Sequence, residues 1–220
     1  LREYNTAGKL VHEINYTAYD GTNWTAGNKR VYDYDVNDNK IEDTYYTLYS
    51  YGNWIGSTHE VWTYNTDRLK TYYKKESWVS NAWTTSNEEF YDYTASGNYL
   101  LIEKYALKSG VLAGSSKQVY EYNESELQTS LITYKWSNGE WVNSAWTVTG
   151  YDAANNKTET CKYSWKNNMW TGSGNRVLKT YNDKKKVIEQ ITQTWPSGAM
   201  DWVNSARATA EYNANSQKIQ

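Results

Sequence analysis

The chain has 220 residues with 23 basic against 25 acidic side chains, a net charge of −2 and a pI near 5.8. That balance lacks the basic footprint of a nucleic-acid binder, and no apolar run is long enough to cross a bilayer as a helix. With 12 Trp, 23 Tyr and one Phe at a mean hydropathy of −0.92, rings that keep a polar handle must supply most of the contact area.

In chain order, a tyrosine followed by Asn or Asp occurs at Tyr4, Tyr34, Tyr64, Tyr122, Tyr151, Tyr181 and Tyr212, and Tyr93-Thr94 fills the one gap. Successive separations are 30, 30, 29, 29, 29, 30 and 31 residues. A period of this size means that one supersecondary unit is copied along the chain. No Pro/Gly/Ser linker or charge block interrupts it, so residues 1–220 read as a single array of seven repeats and a partial final turn. A second marker keeps step with the tyrosines: Trp24, Trp54, Trp83, Leu112, Trp141, Trp170 and Trp202. Two residues before five of these stand Gly52, Asn81, Gly110, Gly139 and Asn168, the residue types that tolerate a left-handed backbone in tight turns. Asn138-Gly139 is a strong hairpin signal, and the flanking runs of Tyr, Thr, Val, Trp and Ile favour strands. Each repeat therefore reads as a β-hairpin, and the Asx residue after each anchor tyrosine closes the connection to the next by bonding its own backbone.

The fold class that follows is all-β. About seven hairpins form one long antiparallel meander, and a sheet that wide is expected to curl into a barrel-like or spiral shell. In residues 127–136 neither alternating face is purely apolar, so cross-strand aromatic pairs, more than a thick core, are expected to hold register. Five residues before the markers, across the turn, stand Tyr19, Tyr49, Trp78, Leu107, Trp136 and Trp165. Where the marker is Leu112 its partner is Leu107, a joint change that points to contact. The last repeat departs, with Trp195 and Trp202 separated by Pro196–Asp201.

The tyrosine-aspartate pattern, most complete in Tyr93–Asn98 and Tyr151-Asp152-Ala153-Ala154-Asn155-Asn156, resembles the YD (Rhs-type) repeats, in particular longer-period versions in surface proteins of Bacteroides-like bacteria, many of unknown function. The resemblance covers all seven repeats. It implies an extracellular or cell-surface β-shell or porin-like barrel, periplasmic or outer-membrane-associated, with no catalytic residues to carry over. The longer period departs from the Rhs shells and leaves a toxin-encapsulating role without support. Segments such as Trp136–Trp141 and Tyr51-Gly52-Asn53-Trp54 are similar to aromatic cell-wall-binding hairpins, but Val142, Ile55, Thr84 and Thr171 follow where those repeats place further aromatics.

No chemistry-bearing motif accompanies the repeats. His12 and His59 occupy different phases of the repeat and lack metal-ligand spacing, no nucleophile elbow or phosphate loop occurs, and the neighbouring acids Glu42-Asp43 and Glu88-Glu89 should face opposite sides of a strand. The lone Cys161 reads as a packing residue, and Lys184-Lys185-Lys186 as a solvated turn. The chain is thus expected to be non-enzymatic and soluble, without cofactor or metal. A structural or adhesive surface module is the leading reading. The alternative is a carbohydrate-binding module in which Trp24, Trp54, Trp83, Trp141, Trp170 and Trp202 form a ladder of platforms about 10 Å apart; an unrecognised glycan-active enzyme is more remote. Expected partners are a polysaccharide or another surface protein, with self-association through sheet edges. Leu1 opens inside a repeat without a secretory leader, so export rests on the resemblance, and Gln220 falls in mid-repeat, which leaves room for a longer array.

Overall fold

A computed structural model of the chain describes residues 1–49 and 52–219; Tyr51 of the cell-wall-type segment lies outside them. The described residues form sixteen β-strands, no α-helix, and two compact units. The first unit comprises Leu1–Asp92 and Ile102–Ser115, the second Tyr93–Leu101 and Ser116–Gln220.

In the first unit β1 (Arg2–Tyr4), β2 (Leu10–Tyr19), β3 (Trp24–Tyr34), β4 (Lys40–Leu48), β5 (Trp54–Tyr64), β6 (Lys70–Val79) and β7 (Ala82–Tyr93, except its last residue) pair antiparallel in chain order. Strands β8 (Tyr99–Lys108) and β9 (Val111–Tyr122) give residues to both units. In the second unit β9 is followed by β10 (Gln128–Ser137), β11 (Glu140–Tyr151), β12 (Lys157–Lys166), β13 (Met169–Gly172), β14 (Asn175–Tyr181), β15 (Val187–Thr194) and β16 (Val203–Thr209), again a meander, with β13 and β14 both pairing β12. The strand path of each unit is open, its last strand not pairing with its first.

Two turns alternate. Ser80-Asn81, Ser109-Gly110, Asn138-Gly139 and Asn167-Asn168 have positive φ at both residues, the signature of type I′ hairpins, whose twist matches that of the flanking strands. The second turn follows each anchor tyrosine. In Asn5–Lys9 the Asn5 N–H donates to the Lys9 carbonyl at 2.9 Å and the Asn5 carbonyl accepts from Gly8 at 2.9 Å, while the Asn5 Oδ1 accepts from the N–H groups of Ala7 and Lys9. The same Asx pattern recurs at Asp35, Asn65, Asn123, Asp152, Asn182 and Asn213. Thr94, the exception in sequence, accepts from the Asn98 N–H at 3.1 Å and reaches the Ser96 hydroxyl instead. Each loop holds a left-handed residue four positions after its tyrosine: Gly8, Asp38, Arg68, Gly97, Glu126, Asn155, Lys185 and Ser216.

The anchor tyrosines tie one repeat to the one before it. Tyr34, Tyr64, Tyr122, Tyr151, Tyr181 and Tyr212 donate their hydroxyls to the carbonyls of Leu10, Lys40, Tyr99, Gln128, Lys157 and Val187, at 2.7–3.3 Å. In five cases the acceptor belongs to the residue paired with the preceding anchor, as in Tyr4↔Leu10, Tyr34↔Lys40 and Tyr151↔Lys157. Register shifts at these pairs because the outgoing strand carries one extra residue, a β-bulge repeated at fixed phase.

Apolar burial is small. Among the described residues the buried hydrophobics are Cys161, 1% exposed, and Trp202, 8%, so register rests on cross-strand contacts and turns. One expected pair differs: Leu48, not Tyr49, stands opposite Trp54, and Tyr49 begins the loop by donating its N–H to the Asn53 carbonyl at 2.9 Å. Five residues separate Leu48 from Trp54 where four separate Trp78 from Trp83, so counting back from the marker lands one position late.

Two outcomes are expected. Tyr64→Phe, which removes one hydroxyl donor, should lower unfolding free energy by about 1 kcal/mol, measured by urea denaturation. Lys185→Gly should raise it by roughly 0.5–1 kcal/mol, because glycine relieves the left-handed cost by more than it adds to chain entropy.

Candidate functional site

On a strand, alternate residues share a face, and the cross-turn rings fall on the same face of neighbouring strands. Trp78 and Trp83 stand opposite each other with centroids 5.0 Å apart at 78°. Trp136 and Trp141 do so at 5.1 Å and 77°, and Trp165 and Trp170 at 5.0 Å and 69°. These are edge-to-face pairs, the arrangement favoured by ring quadrupoles. Tyr19 and Trp24 are as close, 4.9 Å, but tilted at 37°. Trp195 and Trp202 make an edge contact at 5.4 Å despite their longer loop. Leu107 and Leu112 flank the Ser109-Gly110 turn on β8 and β9. Trp54 has no ring opposite; the Lys29 ammonium lies 5.1 Å from it and 4.6 Å from Tyr46, within cation–π range.

Exposure separates the marker rings. Trp24 is 64% exposed, Trp202 is buried, and Trp54, Trp83, Trp141 and Trp170 are half-buried. Two of the half-buried rings also touch the strand that precedes their hairpin. Trp83 meets the His59 ring at 5.4 Å and Trp170 meets Trp146 at 5.8 Å. Two glycines make this approach feasible. A Cβ on Gly56 would lie 2.7 Å from the Trp83 indole and 2.9 Å from Trp78, and one on Gly172 would lie 2.3 Å from Trp195. These floors were not singled out by sequence reasoning, although Gly56, Gly114 and Gly172 recur at intervals of 58 residues, two repeats, a signal that was available.

Polar groups on the same face of the first unit converge on His59. Its Nδ1 lies 2.7 Å from Glu76 and its Nε2 3.0 Å from Glu42, and Glu76 also pairs with Lys74 at 3.1 Å. On the opposite face Lys40 pairs with buried Asp43 at 2.9 Å and lies over Trp62 at 4.6 Å. Glu89 there receives Tyr91, Lys70 and Lys104. Burial raises the Glu76 and Glu89 carboxyls, yet the hydrogen bonds from His59 and Lys74, and from Tyr91 and Lys104, outweigh it and hold both below the ordinary glutamate value. Glu42 and Asp43, and likewise Glu88 and Glu89, serve opposite faces: Glu88 accepts from Tyr72 while Glu89 takes the lysines.

In the second unit Cys161 lies beneath a ring cluster. Trp146 stacks on Tyr163 at 5.0 Å, Trp202 meets Tyr163 at 5.8 Å and donates its Nε1–H to the Tyr163 hydroxyl at 3.2 Å, and Trp146 donates to Ser130 at 3.0 Å. Burial pushes the Cys161 thiol up, which keeps it protonated and inert. Among the described residues no group of three or more His, Cys, Asp or Glu is placed to hold a metal ion, and no helix is long and apolar enough to cross a membrane. What each unit offers is a set of mutually engaged rings, joined in the first unit by ion pairs around His59 and Glu89.

No family model and no curated protein sequence matches the chain. Solved structures do. A protein of unknown function from Bacteroides fragilis is 15% identical, with a TM-score of 0.33, over 63% of this chain and 91% of that one. The Photorhabdus luminescens Tc holotoxin pore is 13% identical, TM-score 0.37, over 100% of this chain and 13% of its own. A porin-like protein from Bacteroides uniformis is 11% identical, TM-score 0.27, over 78% of this chain and 86% of that one. The chain thus spans about an eighth of the toxin chain it matches.

Gly56→Val should destabilise the first unit by about 1–3 kcal/mol, because indoles packed on backbone cannot yield without leaving their rotamers; thermal unfolding checks this. The glutamates set an acid limit. Their folded pKa values lie below the ordinary 4.5, so their contribution is complete above that pH and is lost as pH falls through the folded values. The urea midpoint should therefore fall steeply below about pH 4.5, and Glu76→Gln should flatten part of that fall.

Proposed function

We propose that this chain is a structural or adhesive repeat module of YD type, working on the outside of a bacterial cell, and that it carries out no catalysis. The observation that supports this most directly is the state of the tryptophans. Three of the cross-turn pairs are locked edge to face at 5.0–5.1 Å, and Trp83 and Trp170 are further engaged with the strand that precedes their hairpin. Rings held in this way contribute cohesion to a sheet with few buried apolar side chains; their faces are not free as a continuous platform. Extracellular placement rests on the tyrosine-aspartate pattern itself, and the regular Asx loops and tyrosine bridges suit a module whose product is its own extended sheet.

A second reading, glycan binding, is favoured by one pair. Tyr19 and Trp24 are 54% and 64% exposed, and their 37° tilt leaves ring surface open to stack on a sugar. Titration of the full chain with a panel of neutral polysaccharides and peptidoglycan fragments, followed by tryptophan fluorescence, separates the two. For a structural module no saturable shift is expected, while Trp141→Ala should lower stability by about 2–3 kcal/mol. A saturable shift abolished by Trp24→Ala, with stability unchanged, would establish the glycan reading.

A further inference from the structure

The cross-turn ring contact survives at the β15–β16 hairpin although the connection there is longer. Six residues separate Trp195 from Trp202, where four separate Trp165 from Trp170, yet the rings still meet at 5.4 Å. The surplus chain must therefore bow away from the pair. It does so as a closed turn: the Ala199 N–H donates to the Pro196 carbonyl at 3.0 Å, Gly198 holds a φ of 79°, and the Trp195 indole N–H donates to the Ala199 carbonyl at 3.0 Å. Asp201, the one acid in the connection, accepts the Trp202 N–H at 2.7 Å. Between this turn and the β12–β13 hairpin lies a hollow of about 470 Å³, within the range of small-molecule sites. Lys166 and Met169 line it from one side and Trp195, Pro196 and Met200 from the other, all of them in the second unit. No residue of β16 takes part, so the hollow is formed between two consecutive hairpins inside the chain.

The chain has two methionines, and both line this hollow, Met169 at 52% and Met200 at 85% exposed. A thioether is polarizable and adapts to what it meets, with a preference for aromatic rings. The Pro196 ring and the Trp195 indole add flat apolar surface. Among the described residues Lys166 is the one charged group of the lining, and it forms no ion pair. We propose that this hollow is a binding site for a small arylalkyl carboxylate, whose aromatic ring lies between the two thioethers and against Pro196 while its carboxylate reaches the Lys166 ammonium. Charge complementarity selects the head group, because a carboxylate gains a charge-assisted bond there that no neutral group does. The thioethers and the proline select the body. A neutral saccharide fits less well, since it gains nothing from the ammonium's charge and sets its hydroxyls against two thioethers, which are weak acceptors.

The full chain, isotopically labelled at the methionine methyl carbons, gives two magnetic-resonance signals, one from each side of the hollow. Titrated with phenylpropionate, both should shift along one saturating curve with a Kd on the order of a millimolar. Phenylpropanol, which keeps the body and loses the charge, should bind roughly three- to tenfold more weakly. Lys166→Gln should erase that difference while the urea midpoint stays unchanged. Because the acid and the alcohol are compared on the unaltered chain, the result does not depend on how the variant folds. Equal binding of the two ligands would overturn the proposal, as would a preference for the acid that survives Lys166→Gln. So would movement of only one methionine signal, or no saturation with phenylpropionate. Movement of both signals on raising the protein concentration alone would make a second copy of the chain the occupant, and movement with a neutral polysaccharide but not with phenylpropionate would make it a glycan; either sinks the carboxylate site.

Discussion

The bond that Tyr34, Tyr64, Tyr122, Tyr151, Tyr181 and Tyr212 make from the hydroxyl to a carbonyl 23–25 residues earlier is the constraint on which the rest of each unit depends. A meander has strong hydrogen bonding across each pair of strands, but a sheet so poor in buried apolar groups has little to fix how one loop lies beside the next. The tyrosine supplies that. Its hydroxyl satisfies a carbonyl at the start of the preceding hairpin's strand, where ladder pairing begins. Burial pushes the Tyr64 and Tyr122 phenols up, so the donor proton stays in place through the neutral range.

Neighbouring loops add charge and amide contacts at the same phase. Asn98 donates to Glu126 at 2.9 Å, Lys184 reaches the Ala214 carbonyl, and Asp35 and Asp152 are lowered chiefly by the amides of Asn39 and Asn156, with small contributions from Arg68 and Lys185 one repeat on. Several of these side chains sit at or next to the left-handed position. This gives a reason why glycine occupies that position in only two of the eight loops: a side chain there accepts backbone strain in exchange for a contact with the adjacent repeat.

Much of this fold was legible in the chain because turns are local. Asn81, Gly110, Gly139 and Asn168 were readable as left-handed from residue type and spacing alone, and so was the Asx closure after each tyrosine. What needs knowledge of the partner strand was harder to read. Tyr49 does not pair with Trp54 because five residues, not four, separate Leu48 from the marker, and counting forward from Tyr34, as from Tyr64 to Trp78, reaches Leu48. The His59 clamp depends on Glu42 and Glu76, each 17 residues away on a different strand, and no linear motif marks it. The glycine floors carry a faint two-repeat period, yet their role appears only once the rings of the following hairpin are placed over them.

The indole pairs have a spectroscopic consequence. Two identical chromophores held about 5 Å apart near a right angle couple their electronic transitions, and a chiral backbone gives the coupled pair a signed circular-dichroism couplet. Trp78–Trp83 lies in the first unit and Trp136–Trp141 and Trp165–Trp170 in the second. Each of these three hairpin tips thus contains a native optical reporter of its own closure, one that vanishes when its two strands part and needs no label.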